Sequence, residues 1–173
     1  MNYKAKPRLT FSEALKCAYK KGFDDNRHRV RRSEYWWNML ALLIYLLVFA
    51  AIYFLVEDVL KWRVLGRVWN VIFGIFSIIP CGIWVMESYG RLHDTNHRDT
   101  WLHGFFLPCV VMLIYNVMSV GSGYSATQNT IVYSLLGAVA AIFGVICLVF
   151  CLKDSDKGEN DYGASPKYEA TDD

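Results

Sequence analysis

Glu87, Ser88, Tyr89, Gly90, Arg91, Leu92, His93, Asp94, Thr95, Asn96, His97, Arg98, Asp99, Thr100 and Trp101 make a polar island in an apolar chain. Two uncharged runs precede it, Met39–Val56 and Val68–Met86, and two follow it, Leu102–Val120 and Ile131–Leu152. These runs are 18, 19, 19 and 22 residues long and hold no Asp, Glu, Lys or Arg. A helix crossing a bilayer core needs about 20 mostly apolar residues, whereas buried helices of soluble proteins more often carry apolar runs of about 10–14. The pattern predicts an all-α fold, a four-helix transmembrane bundle with the island as the loop between its second and third spans. Across the 173 residues, 54% are hydrophobic and 20% charged, and almost all of the charge lies outside the four runs.

The charge distribution predicts an orientation. The arm 1–38 holds ten Lys and Arg, segment 57–67 three, the island two, 121–130 none and the tail 153–173 three. With four spans, the arm, the island and the tail share one side, which then holds 15 of the 18 basic residues. The positive-inside rule places that side, and both termini, in the cytoplasm. The first apolar run begins too late for a cleavable signal peptide, so the first span is expected to serve as an uncleaved anchor.

Within the arm, residues 10–22 read as a short amphipathic helix. Thr10 and Glu13 have capping-box spacing, and Gly22 stands where a C-terminal glycine belongs. Phe11, Leu15, Ala18 and Tyr19 share a face, suited either to the inner leaflet or to the ends of the spans. The run from Arg27 to Trp37, with four arginines and then Tyr35, Trp36 and Trp37, suits the boundary between anionic headgroups and hydrocarbon. Glu57 and Asp58 are expected to end the first span, with Trp62 and Trp69 as anchors beyond it. Pro80 and Pro108 flank the island at matching depth, each able to kink its helix. Ser134, Ala138 and Ala141, with Gly137 and Gly144 nearby, predict a helix-packing stripe; Gly74, Ser77 and Cys81 predict another. The five cysteines form no Cys-x-x-Cys pair, which points to packing residues rather than disulfides or a thiol metal site. The tail is acidic, and its end, Glu169–Asp173, is expected to be disordered.

Three segments carry a resemblance: the Arg-Ser-Glu-Tyr-Trp-Trp run from Arg32 to Trp37 with Arg31 before it, the stretch Arg91–Thr95, and Gly158–Gly163 with Pro166. In this order around four spans, they resemble the bacterial inner-membrane proteins of the domain-of-unknown-function 805 family, over roughly residues 10–168. The resemblance implies a small multi-span membrane domain and no established activity. Two departures stand out. The Gly-Arg pair usual ahead of the first motif is replaced by Asp24, Asp25, Asn26 and Arg27. The glycine usual after the second is replaced by Asn96 and His97.

All three motifs fall on the predicted cytoplasmic face. That face would gather Arg31, Arg32, Glu34, Trp36, Arg91, His93, Asp94, Glu159, Asn160 and Tyr162. One use of them is structural: Arg91 and Asp94 pairing with Arg31, Arg32 or Glu34 and with the Glu159 region, because a charge at a membrane edge needs a partner. A metal site on His93 and His97, four apart if the helix continues, is a second, though Asn96 predicts a turn that would break this spacing. Catalysis by His93 and Asp94 is a third, without a nucleophile motif beside it. The uncharged spans disfavour an ion pathway. No cofactor or nucleic-acid signature is present. The expected function is non-enzymatic, a cytoplasmic face that meets anionic lipid headgroups or a protein partner, a second copy included; the alternative is an enzyme or metal-binding protein using His93 and Asp94.

Overall fold

The computed structural model describes residues 2–21, 28–119 and 126–171. In chain order these form strand β1 (Asn2–Ala5), helix α1 (Phe11–Lys21), α2 (Arg32–Phe54), a wide π turn over Leu55–Val59, α3 (Arg63–Asp94), α4 (Thr100–Ser119), α5 (Ala126–Leu152) and strand β2 (Tyr168–Thr171). Gly22, the 24–27 departure and the stretch 121–125 lie outside the described residues.

Helix α1 starts where polar side chains close its end. At α1, the Thr10 N–H donates to Glu13 Oε2 at 2.8 Å and the Glu13 N–H donates to Thr10 Oγ1 at 3.4 Å. This is a reciprocal capping box. Helix α1 lies against α2 with Ala14 and Ala18 fully buried, while Tyr19 faces outward. Phe11 meets Trp37 edge-on, with ring centroids 5.6 Å apart.

Helices α2 and α3 run antiparallel. Tyr45 Oη and Ser77 Oγ lie 3.2 Å apart, and the Trp69 indole donates to the Phe49 carbonyl at 3.2 Å. Trp69 therefore packs within the hairpin, whereas Trp62 is exposed. Glu57 and Asp58 do not stop the first helix at Val56. The chain winds through them in the π turn, and Lys61 then reverses it in the left-handed region at φ 58°. Helices α4 and α5 form a second antiparallel hairpin. Tyr115 Oη donates to Asn129 Oδ1 at 2.8 Å far from the island, and Trp101 meets Phe150 edge-on near it. Pro80 and Pro108 both sit inside continuous helices.

Burial is inverted relative to a water-soluble protein. Large aliphatic and aromatic side chains along α2, α3, α4 and α5 face outward: Leu43, Leu47, Ile75, Phe76, Leu113, Leu135 and Ile142 are all exposed. The largest fully buried side chains are Arg91, Leu92, His93, Glu34, Glu87, Val30 and Asp94, most of them charged. A soluble protein seldom exposes so much contiguous apolar surface, and a bilayer is the solvent that suits it. Among the described residues, Arg32–Val59, Val64–Asp94 and Thr127–Leu152 are long and apolar enough to cross a membrane, and Thr100–Tyr115 is a shorter apolar helix. The chain is a membrane protein.

Three expectations need correction. The island is mostly helix, because α3 continues to Asp94 and only Thr95–Asp99 link it to α4. The tail end is not disordered through Thr171, since β2 pairs antiparallel with β1, Tyr3 opposite Ala170. The stripe of Ser134, Ala138 and Ala141 faces outward, so of its two uses, contact within the bundle or contact between subunits, the first is not the one made. The buried face of α5 is the adjacent one, Ala140, Cys147 and Cys151, with half-buried Gly144 against the Phe105 ring. Ala140→Leu is therefore expected to lower the thermal stability in detergent by about 1–3 kcal/mol through overpacking. Ala141→Leu is expected to have little effect, and equal losses would contradict this assignment of faces.

Candidate functional site

Helix α3 ends in a polar turn that its own sequence specifies. The Asn96 N–H donates to the His93 carbonyl at 3.1 Å and the His97 N–H donates to the Leu92 carbonyl at 3.0 Å. Together these close a Schellman motif. Asn96 sits at φ 54°, a left-handed conformation that asparagine tolerates better than most residues. The turn that Asn96 predicts is therefore present, and it separates His93 from His97.

Just before that turn lies Asp94, fully buried. Its Oδ1 accepts from Arg29 Nε at 3.1 Å. Its Oδ2 accepts from Ser155 Oγ at 2.5 Å and from the guanidinium Nη1 of Arg91. The Arg29 and Arg91 side chains are 2% and 0% exposed, so this is a dry cluster of two cations on one anion. Burying such charges is tolerated only when every group is paired.

The pairing is nearly complete. Arg29 has five N–H donors. Besides Asp94 Oδ1 they reach the carbonyls of Gly158 at 2.9 Å, Gly163 at 2.8 Å, Asp156 at 2.9 Å and Asp94 at 3.3 Å. Arg91 donates to the carbonyls of Cys151 at 3.1 Å and Val30 at 3.4 Å, and to that of Lys153. The backbone adds two ties, Val30 N–H to the Gly90 carbonyl at 2.9 Å and Asp156 N–H to the Asp94 carbonyl at 3.1 Å. Gly90 is needed for that approach, since a Cβ there would stand 2.4 Å from Val30 Cγ2.

The third motif forms the far wall. Residues 160–163 make a tight turn in which Asn160 and Gly163 exchange backbone hydrogen bonds of 3.1 and 2.9 Å, with Gly163 at φ 108°. Asn160 Nδ2 donates to the His93 carbonyl at 2.9 Å, adding a side-chain cap to the end of α3. Tyr162 stacks on the His93 ring, 3.9 Å between centroids and 9° between planes. The Gly158 and Gly163 carbonyls are the two that receive Arg29.

Both histidines are engaged. His93 is 1% exposed, and its Nε2 lies 2.5 Å from Asp99 Oδ1. A carboxylate only accepts, so Nε2 carries the proton; Nδ1 is buried without a hydrogen-bond partner. His97 stacks on Phe150 at 3.7 Å, and its Nδ1 lies 3.0 Å from Thr95 Oγ1, whose proton goes to the Leu92 carbonyl. Partial burial and the nearby Lys153 hold the His97 pKa below the usual imidazole range. Among the described residues, no three His, Cys, Asp or Glu side chains are placed to hold a metal ion.

Of the residues expected on this face, the structure joins Arg91, His93, Asp94, Asn160 and Tyr162. Arg31, Arg32 and Glu159 do not reach Asp94. Arg31 donates to the Pro7 carbonyl at 2.8 Å and Arg32 to the Leu152 carbonyl at 3.3 Å, while Glu159 is exposed. Glu34 is buried in the first turn of α2, close to Glu87, and Asn38 Nδ2 contacts both the Glu34 carbonyl and Glu87 Oε2 at 3.1 and 3.3 Å. Trp36 is half-buried, edge-on to Tyr35. Arg29 and Ser155 are the cluster members that sequence reasoning misses. Arg29 belongs to the basic run that reads as a headgroup anchor, and Ser155 stands in an acidic tail that carries no periodicity.

Beside the cluster, Lys167 Nζ binds Asp154 Oδ1 at 2.6 Å. Burial disfavours the Asp154 carboxylate, but hydrogen bonds from Lys167, the Ser155 backbone and Tyr168 outweigh it and hold its pKa down to about 2. The tail is tied to the end of α3 through Ser155 and Asp156, and to β1 through β2.

A family model described as "Protein of unknown function (DUF805)" matches residues 24–164. "Inner membrane protein YhaH" of Escherichia coli (strain K12) is 31% identical over 99 residues, covering 56% of this chain and 76% of that protein. The protein of that name from Escherichia coli O157:H7 matches with the same identity and coverage. No solved structure matches the chain.

Proposed function

The chain belongs to the DUF805 family, and from that premise we propose a non-enzymatic, four-span protein of the bacterial inner membrane. The spans are α2 to α5, and the arm, the α3–α4 link and the tail lie in the cytoplasm. The Arg91–Asp94 motif is a scaffold. It clamps the arm and the tail to the ends of the spans and so holds a cytoplasmic face whose role is to meet anionic lipid headgroups. One observation carries this reading: Asp94 and Arg91 are fully buried and bonded to each other, with Arg29 and Ser155 on the carboxylate and the carbonyls of Cys151 and Val30 on the guanidinium. A catalytic pair needs an approach for substrate, and here Tyr162 covers His93. The inner-membrane name of the relative and the 15 of 18 basic residues on the clamp side favour the orientation.

Reporter fusions test it. A periplasm-dependent reporter joined at Gly66 is expected to be active and one joined after Thr171 inactive, with a cytoplasm-dependent reporter giving the reverse. Periplasmic activity after Thr171 would refute the orientation and, with it, the cytoplasmic role of the clamp face.

A further inference from the structure

A cavity of about 740 Å³ opens beside the clamp. Its walls come from the N-terminal arm, the first turns of α2, and Asp154 and Lys167 of the tail. One end is cationic. Arg8, Arg31 and Arg32 line it, and none has an ion-pair partner among the described residues. The backbone carbonyls of Pro7 and Leu152 hold one nitrogen of Arg31 and one of Arg32, which positions both guanidinium groups. Ser33 also lines the cavity, and its hydroxyl is buried without a hydrogen-bond partner. The N-cap of α2 makes no side-chain capping bond, so the positive end of that helix adds to the same field.

The other end is apolar. Ser33, Trp37 and Leu40 stand on one face of α2 at helical spacing, and all three line the cavity. The wall therefore passes from guanidinium to indole to aliphatic along the helix axis. Ile44 and Leu47, both exposed, continue this face into the apolar band.

We propose that this cavity binds one anionic phospholipid, its phosphate among Arg8, Arg31, Arg32 and Ser33 and an acyl chain along Trp37 and Leu40. The unpaired cations select a negative headgroup. The gradient along α2 selects a lipid over a free phosphate, because a small anion would leave the apolar half of the cavity empty. The volume lies within the range of about 300–1,000 Å³ usual for small-molecule sites. The proposal gives the headgroup contact inferred above a defined site, and it rests on that reading. The fusion experiment tests the orientation without reference to lipid, so failure of one is distinguishable from failure of the other.

The test uses the full chain purified in detergent, titrated separately with phosphatidylglycerol, phosphatidylcholine and inorganic phosphate. Native mass spectrometry counts bound lipid and thermal melting reads stabilisation. Phosphatidylglycerol is expected to be retained and to raise Tm, and the other two to do neither. Arg8→Gln with Arg32→Gln is expected to weaken phosphatidylglycerol by about thirty-fold. Lys16→Gln with Lys20→Gln removes the same charge from exposed positions on α1 and is expected to leave binding unchanged. Leu40→Trp keeps every charge, fills the apolar end and is expected to reduce the bound fraction. Equal binding of phosphatidylcholine, a full shift from inorganic phosphate, an equal loss in the α1 double variant, or undiminished binding in Leu40→Trp would each overturn the proposal.

Discussion

Asp94→Ala is expected to destabilise the protein by about 3–5 kcal/mol, because it leaves two buried arginines facing each other with no anion between them. The Arg29 and Arg91 side chains are 2% and 0% exposed, so water cannot take over the role of the carboxylate without opening the cluster. Ser155 and the tail lose an anchor at the same time. Asp94→Asn is the sharper variant. It keeps the shape and an acceptor oxygen but removes the charge, and it is expected to fall between Ala and the wild type. Thermal melts in one detergent at matched protein concentration would read all three. A variant with Ala at 94 that melts with the wild type would mean that the charges are not confined as described.

Arg29→Ala is expected to cost about 2–4 kcal/mol, with a different signature. Asp94 keeps Arg91 and Ser155, so the helix ends stay together. The carbonyls of Asp156, Gly158 and Gly163 lose their donor. The tail is then expected to lift, and limited proteolysis to cut near Gly158 at protease levels that leave the wild type intact. Arg29→Lys is expected to restore little of this, because an ammonium offers three donors without the planar fork that reaches five acceptors. Full protection of the tail in Arg29→Lys would show that charge alone, and not the fork, holds it.

What the sequence makes legible here is set by the range of the interactions. The apolar runs announce helices because lipid imposes its length on every crossing segment. The helix ends are harder to see. Arg32 and Glu34 open α2, and Glu87, Arg91 and Asp94 close α3, yet each counts against an apolar run. The burial of Glu87, Arg91 and Asp94 depends on partners tens of residues away in the chain. Asn96 is legible as a turn because its left-handed conformation is a local property. The pairing of Arg29 with residues 94, 156, 158 and 163 is a tertiary fact, and one arginine in a run of four carries no mark of it. The face of α5 that packs within the chain is hidden for another reason. Spacing of three and four identifies a face, but Ala140 and Gly144 lie on the adjacent face with the same spacing, and only the seating of Phe105 and Phe143 decides between them.

The claim that Arg29 and the motif residues around Asp94 form one closed structural clamp is tested most directly by a double-mutant cycle between Asp94 and Arg29. Asp94→Ala, Arg29→Met and the double variant are melted alongside the wild type. The clamp predicts strong coupling: the double variant loses less than the sum of the two single losses, by about 1–3 kcal/mol, because removing the second partner also removes an uncompensated buried charge. Additive losses would contradict it, showing that Asp94 and Arg29 act independently and that the buried cluster does not work as a single scaffold.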